Sequence, residues 1–260
     1  MTDVLLAVDV GNSHTVLAVF SRERILHSWR LCTAREATAD QLAMDLGALL
    51  GHRGLPLRAI NGLVIGSVVP PLDEVWRAVA QAYLDCRVIT VGPNTTAGLV
   101  LDVDRPQDLG ADRIADAVAA WRLHGAPLVV VDLGTATKVE AVGAGGRYLG
   151  GAIAPGVGVS SEALFGRAAL LHRISLQVPS RALGRDTASQ MQSGIAFGFA
   201  GQVDGLVERV REEMGGAERV VATGGWASVV VGLSRTVTVV DPWLTVQGLR
   251  LIYESAVGTA

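Results

Sequence analysis

Two segments of this chain carry one pattern, and that repetition limits the fold more than any other feature. Val4 to Phe20 reads VLLAVDVGNSHTVLAVF, and Leu128 to Val142 reads LVVVDLGTATKVEAV. Set Asp9 on Asp132, 123 residues further on, and the two align without a gap: Gly11 falls on Gly134, Val16 on Val139, and Ala18-Val19 on Ala141-Val142. Each is an apolar β-branched run, an aspartate, a glycine turn with hydroxyl or amide residues, and a second β run. That order predicts strand, turn, strand. At the same offset Ile25 meets Tyr148, inside the third strands predicted at RILHSWRL and RYLGGAIA.

Both halves then turn helical and return to strand. In the first, Asp40 to Leu50 has helical spacing, LVIGSVV reads as a buried strand, LDEVWRAVAQAYL as an amphipathic helix and RVITVG as a short strand. In the second, Asp204 to Met214 reads as a charged amphipathic helix, ERVVATGG as a strand into a glycine turn, TVTVVD as a strand, and LTVQGLRLIYESA as a closing helix. Arg113 to His124 links the halves with apolar positions at helical spacing. The expectation is two similar α/β halves facing each other across a cleft.

Composition narrows the partners. Half of the 260 residues are hydrophobic and 18% are charged, against roughly 25% charged in an average soluble domain. Net charge is −3, the pI is near 5.9, and no run of Lys or Arg stands out, so no nucleic-acid or anionic-membrane partner is expected. The longest charge-free stretch, Thr187 to Val203, is interrupted by Ser, Gln and Gly and falls short of the ~20 apolar residues of a spanning helix. The N-terminus shows no basic region or cleavage site. A cytoplasmic protein is expected. Cys32 and Cys86 fit neither a disulfide framework nor a metal cluster and read as small buried hydrophobes. The five histidines show no ligand spacing, and the five tryptophans read as packing, with Trp226 the one set beside a glycine turn.

The aspartate-glycine turns suit phosphate. Glycine lets the backbone approach phosphate oxygens, and the turn N–H groups with Asn12, Ser13, Thr135 and Thr137 can donate to them. His14 lies in the first turn, where it either donates to a phosphate or is simply exposed. A carboxylate cannot face phosphate directly, so it would hold a cation; Mg²⁺ fits, since it keeps most of its waters and uses one or two carboxylates. Asp-Gly turns also make plain hairpins, but here there are two, one in each half. A third glycine turn, Ala222-Thr223-Gly224-Gly225, leaves room for a flat ring or a sugar, or is an ordinary connection. In RPQDLGADR, Asp112 stands at or beside a helix N-terminus. It is either a cap or a general base on a substrate hydroxyl, with Arg113 offering a fixed fork to an anionic group.

These motifs resemble the type III pantothenate kinases, of the actin, hexokinase and Hsp70-like superfamily. The marks are DVGNSHTVLAVF, TAREATAD, GSVVPPL, LGADRIADAVAA, VVDLGTAT, YLGGAIAPGV, LGRDTASQMQSG, ATGG and DPWLTVQGLRLIYE, nine in the family's order over nearly the whole chain. The resemblance implies an α/β fold of duplicated ribonuclease H-like (actin-like ATPase) halves with a cleft between them, residues 1–113 and 114–260. It implies ATP-dependent phosphorylation of pantothenate, the first step of coenzyme A biosynthesis, by a homodimer. ATP would be bound by Asp9, Val10, Gly11, Asn12, Ser13, His14, Thr15, Val16, Thr135, Gly224 and Gly225. Asp9 would hold Mg²⁺ and Asp132 a monovalent cation, K⁺ or NH₄⁺. Pantothenate would be bound by Gly110, Ala111, Asp112 and Arg113, with Asp112 the catalytic base, and by Thr187 supplied from the partner subunit.

The chain also departs from the family's pattern. A tyrosine that lines the pantothenate pocket is Val103 here, a Lys-Leu-Pro is Leu170-Leu171-His172, and Gly-Lys-Asn-Thr is Gly184-Arg185-Asp186-Thr187. Thr-Ala-Thr-Thr is Thr135-Ala136-Thr137-Lys138, which sets an ammonium beside the cation and phosphate region. Lys138 either replaces the monovalent cation, in whole or part, or turns outward into solvent; the facing of the hairpin is not fixed by sequence. Val103 and Lys138 favour the runner-up, a non-catalytic nucleotide-binding homologue with a regulatory role. Asp9, Asp132, Asp112 and Arg113 together favour the enzyme, and a kinase for another small molecule would share the ATP side.

Overall fold

Both copies of the repeat fold as three-stranded antiparallel meanders, and each meander is the start of one sheet in a computed structural model that describes residues 4–167, 174–175 and 177–258. The first sheet uses β1 (Val4–Val10), β2 (His14–Ser21), β3 (Arg24–Cys32), β4 (Gly62–Ser67) and β5 (Arg87–Thr90), in the order β3-β2-β1-β4-β5. The second uses β6 (Val100–Leu101), β7 (Leu128–Leu133), β8 (Ala136–Gly143), β9 (Arg147–Pro155), β10 (Arg219–Thr223) and β11 (Val239–Val240), in the order β11-β10-β7-β8-β9-β6. Take away β6, and the two sheets have one order. The directions agree too: β4 runs parallel to β1 and β5, and β10 runs parallel to β7 and β11. The duplication read in the sequence is a duplication of topology.

The register corrects the ungapped alignment. In the first hairpin Asp9 lies across from Val16; in the second Asp132 lies across from Lys138, not from Val139. The second turn is one residue shorter, so β8 matches β2 with a shift of one. The bulge at Val19/Phe20 then falls on the bulge at Ala141/Val142. The next turn restores the lost residue: Phe20 pairs Ile25, and Val142 pairs Tyr148. Two compensating length changes had hidden behind a constant offset.

The helices are α1 (Ala39–Gly51), α2 (Pro70–Val79), α3 (Ala111–His124), α4 (Val157–Arg167), α5 (Thr187–Glu213), α6 (Ala227–Val231) and α7 (Leu244–Val257). Thr38 opens α1 with a capping box, its hydroxyl accepting from the Gln41 N–H while Gln41 Oε1 accepts from the Thr38 N–H. The expected helix from Asp204 is only the end of α5, which starts at Thr187 behind the Asp186 cap. Met191, Ile195, Phe199, Val203 and Val207, four apart and buried, are the stripe that drives it. Among the described residues no helix is long and apolar enough to cross a membrane.

The chain separates into two compact units that are not the contiguous halves 1–113 and 114–260. One comprises Met1–Val100, Asp104–Ala119 and Leu244–Ala260; the other comprises Leu101–Val103 and Ala120–Trp243. Helix α7 belongs to the first unit because it covers that unit's sheet. Tyr253 and Leu249 occupy the space that side chains on Gly62 and Gly66 would take, and the Arg250 guanidinium lies over the Phe20 ring. On the opposite face, Leu6, Val8, Leu17 and Ile65 form a core with Leu46 and Leu50 of α1 and Leu72 and Trp76 of α2. The second unit's core sets Val129, Val131, Leu133 and Val139 against the buried stripe of α5.

Three expectations fail locally. Cys32 is exposed at the end of β3 and Cys86 is half-buried, with burial and then Asp85 pushing the Cys86 thiol up to about 11. Trp243, expected to be a packing residue, is 40% exposed. The strand expected over TVTVVD shrinks to Val239–Val240, because the preceding residues are held by a carboxylate. Leu170-Leu171-His172 lies outside the described residues.

That carboxylate is Asp204, on α5. It accepts from the Ser234 hydroxyl (2.6 Å), the Arg235 N–H (3.0 Å), the Thr236 N–H (3.1 Å) and the Thr236 hydroxyl (2.9 Å). Burial alone would raise its pKa, but these donors outweigh it and hold it below the usual carboxylate value. A depressed folded-state pKa stabilises above the unfolded value and is lost as pH falls through the folded one. Asp204→Asn should therefore cost roughly 1–3 kcal/mol at neutral pH. In urea melts the gap to wild type should narrow as pH is lowered toward about 3.

Candidate functional site

In the first unit, β1 delivers Asp9 half-buried at the strand end, with Val10 buried behind it. Gly11 closes the turn by donating its N–H to His14 O (3.0 Å), and a side chain there would begin 2.8 Å from that oxygen. Asn12, Ser13 and His14 project into solvent, Thr15 is buried and Val16 half-buried. A clamp that the motif alone did not reveal surrounds this turn. The Thr33 hydroxyl donates to Gly11 O (2.7 Å), the Thr33 N–H to Ser13 O (3.1 Å), and Thr15 Oγ1 meets Thr33 Oγ1 at 3.1 Å. Arg35 Nη2 donates to Asn12 Oδ1 (3.0 Å), and Arg30 Nη2 lies 3.2 Å from His14 Nδ1. Burial and then the Arg30 charge hold the His14 pKa below the ordinary histidine value. Two guanidinium groups beside an exposed glycine turn favour an anion there. The signal was present in TAREATAD and in the alternation of β3, which turns Arg30 toward the loop.

The same strand ends seat the Gly110–Arg113 segment. The Val68 N–H, just past β4, donates to Val10 O (3.0 Å). A side chain on Gly110 would begin 3.3 Å from Val68 Cγ1 and 2.6 Å from Asp112 Oδ1. Gly110 thus leaves the space that the Asp112 carboxylate uses. Ala111 is buried, Asp112 and Arg113 are half-buried, and Asp112 Oδ1 accepts the Arg113 N–H at 2.8 Å. Asp112 is the second residue of α3, where its carboxylate accepts locally from the helix's first turn.

In the second unit Asp132 is half-buried at the end of β7, Gly134 donates its N–H to Ala136 O (3.0 Å) and Thr135 is exposed. Thr137 is wholly buried, its hydroxyl without a hydrogen-bond partner, and this corrects the expectation that it donates to phosphate. The glycine turn after β10 stacks on this one. Gly224 has φ +93, and a side chain on it would begin 2.5 Å from Asp132 Oδ1, while the Trp226 N–H donates to Leu133 O (3.1 Å). Gly156 donates its N–H to Thr135 O (3.1 Å). Asp132, Thr135, Gly224 and Gly225 therefore form one backbone-lined surface. Lys138 Nζ stands 2.6 Å from Asp132 Oδ2. Val103 is half-buried, its Cγ1 3.7 Å from where a side chain on Gly150 would begin. Thr187 is exposed as the first residue of α5, placed by the Asp186 cap.

Known proteins match this arrangement. Residues 5–209 match the family model described as type III pantothenate kinase. The chain is 43% identical over 254 residues to the type III pantothenate kinase of Geobacillus sp. (strain WCH70), covering 98% of each chain. It is 45% identical over 251 residues to that of Brevibacillus brevis, covering 96% of this chain and 98% of the relative. Among solved structures it is similar in fold to component A of the (R)-2-hydroxyglutaryl-CoA dehydratase of Acidaminococcus fermentans, with TM-score 0.56 and 16% identity over 98% of this chain and 99% of that one. The fold is the duplicated, actin-like ATPase type.

Proposed function

This chain belongs to the type III pantothenate kinase family, and on that premise we infer that it transfers the γ-phosphoryl group of ATP to the primary hydroxyl of pantothenate, the first step toward coenzyme A. The observation that carries the reading is the shared anchor in the first unit: Val68 ties the Asp9 turn and the Gly110–Arg113 segment to one strand end. Phosphoryl transfer asks a protein for positioning, charge neutralisation and a base, and little else. The Asp9 turn supplies N–H donors for phosphate oxygens, with Arg30 and Arg35 beside it. Asp112 takes the proton of the substrate hydroxyl as its oxygen bonds to phosphorus and ADP leaves. Arg113 pairs with the substrate carboxylate. In the second unit Thr135 and the Gly224-Gly225 turn take the nucleotide.

Asp9 suits Mg²⁺ by its chemistry, a carboxylate at the mouth of a glycine turn, since that ion is held by one or two carboxylates plus waters and phosphate. Bound there with ATP, it would neutralise phosphate charge. The monovalent cation expected at Asp132 does not fit, because the carboxylate oxygen is given to Lys138. A purely regulatory role is not favoured: the relatives matched are named as kinases, and Asp9, Asp112, Arg113 and Asp132 are all present. We place the enzyme in the cytoplasm, where its substrates are.

If Asp112 is the base, Asp112→Asn should lower kcat by roughly 10²–10⁴ and leave ATP affinity almost unchanged. Gly110→Ala, which displaces the carboxylate without removing it, should lower kcat by less. Phosphopantothenate formation from ATP, Mg²⁺ and pantothenate measures both, and near-wild-type turnover of Asp112→Asn would leave Asp112 only a cap.

The homodimer is supported by apolar side chains left in water on β9 and α4: Leu149, Ile153 (61% exposed), Val159 and Leu164. Covering such residues with a second copy is the usual outlet. It would allow Thr187 to serve the partner's site. Sedimentation should give a dimer at micromolar concentration, and a fully active monomer would rule out sharing through Thr187.

A further inference from the structure

The two aspartate-glycine turns are copies whose aspartates face different residues. Residues directly across an antiparallel pair share a face of the sheet. Across from Asp9 stands Val16, which brings no charge; across from Asp132 stands Lys138. The one-residue shortening of the second turn makes this pairing, since at the unshifted register the residue facing Asp132 would be Val139. The hairpin does not turn Lys138 outward. Its ammonium lies 2.6 Å from Asp132 Oδ2, and the two side chains are only 12% and 16% exposed. Backbone lies close to the other carboxylate oxygen: a side chain on Gly224, at φ +93, would begin 2.5 Å from Oδ1, and Thr223 pairs with Asp132 between β10 and β7.

A loose monovalent cation at this carboxylate would have to displace the ammonium. That would break a largely buried ion pair, which is costly. A lysine ammonium is a compact unit charge, comparable to K⁺ or NH₄⁺ in sign and size, and it differs in being tethered. We propose that Lys138 is the built-in monovalent cation of the second turn, standing beside Asp132 where a potassium or ammonium ion would otherwise stand, so that this protein neither binds nor requires such an ion there. The phosphate-side consequence rests on the kinase reading: the positive charge beside the nucleotide turn is present at any potassium concentration.

Two readouts test this on the full-length protein, one of which needs no catalysis. The first is the thermal-unfolding midpoint in KCl against tetramethylammonium chloride at equal ionic strength, with equilibrium dialysis of thallium(I), a potassium congener. An ion that binds the folded state raises the midpoint, with the logarithm of its concentration once above its Kd. The second is turnover of ATP and pantothenate in the same two salts. Wild type should show one midpoint in both salts, no saturable thallium uptake, and turnover within roughly twofold. Lys138→Thr should acquire thallium uptake, a potassium-dependent midpoint and potassium-activated turnover. If that variant does not fold, Lys138→Met keeps the stem and loses only the charge, and the wild-type arms stand without either.

Saturable thallium uptake by wild type, or turnover roughly tenfold higher in potassium, would overturn the proposal. So would a folded Lys138→Thr as indifferent to potassium as wild type, since the ammonium would then not be standing in an ion's place. Wild type without pantothenate turnover would count against the functional reading alone, because the midpoint and dialysis arms still decide the cation question.

Discussion

Helix α7 meets helix α3 backbone to backbone, and the first unit depends on that contact. Gly248 has no side chain, and the Ala115 carbonyl of α3 occupies the place where one would begin. One turn earlier, the Thr245 hydroxyl donates to the buried carboxylate of Asp116 at 2.7 Å. Helix axes approach this closely only where a side chain is missing. The contact fixes α3 along its length, and the first turn of α3 holds Asp112 and Arg113. The same α7 lays Leu249 and Tyr253 onto Gly66 and Gly62 of β4, the strand whose end anchors the Asp9 turn. Asp112 and the Asp9 turn are thus held by one helix and one strand, and both of these pack against α7.

Much of this was legible in the sequence. Alternation and β-branched runs gave the strands, the helical spacing of Asp40 to Leu50 marked α1, and the repeated Asp-x-Gly marked both turns. What escaped detection was tertiary. The register shift at Lys138 could not be read, because a deletion in one turn and an insertion in the next cancel in a linear alignment. The assignment of α7 to the first unit was hidden because helical spacing says which face is apolar and not which sheet it covers. Thr137 looked like a phosphate donor by composition, yet strand alternation turns it inward, opposite to Lys138. The long α5 was missed for a different reason: its Gly and Ser residues resemble a loop, and only the four-residue stripe from Met191 to Val207 gives it away.

Gene duplication gave each half the same device, and the halves then diverged at a single facing position. Val16 brings no charge to Asp9. Lys138 answers Asp132 within the protein. A turn shortened by one residue thus sets a lysine, in place of a valine, across from the aspartate.

The first unit is discontinuous, and this bears on how the chain is made. Arg87 reaches the carbonyl of Ala256, 169 residues further along, and the sheet face that α7 covers carries Gly62, Gly66 and Phe20. Domains made first usually fold first on the ribosome. Here the first sheet emerges early but lacks its covering helix until α7, which follows the whole second unit in sequence, has emerged. Through that interval the nascent protein presents an apolar surface that a chaperone could hold. The second unit, nearly continuous from Ala120 to Trp243, can close before the first does. The order of completion in the cell is then the reverse of the order in the gene.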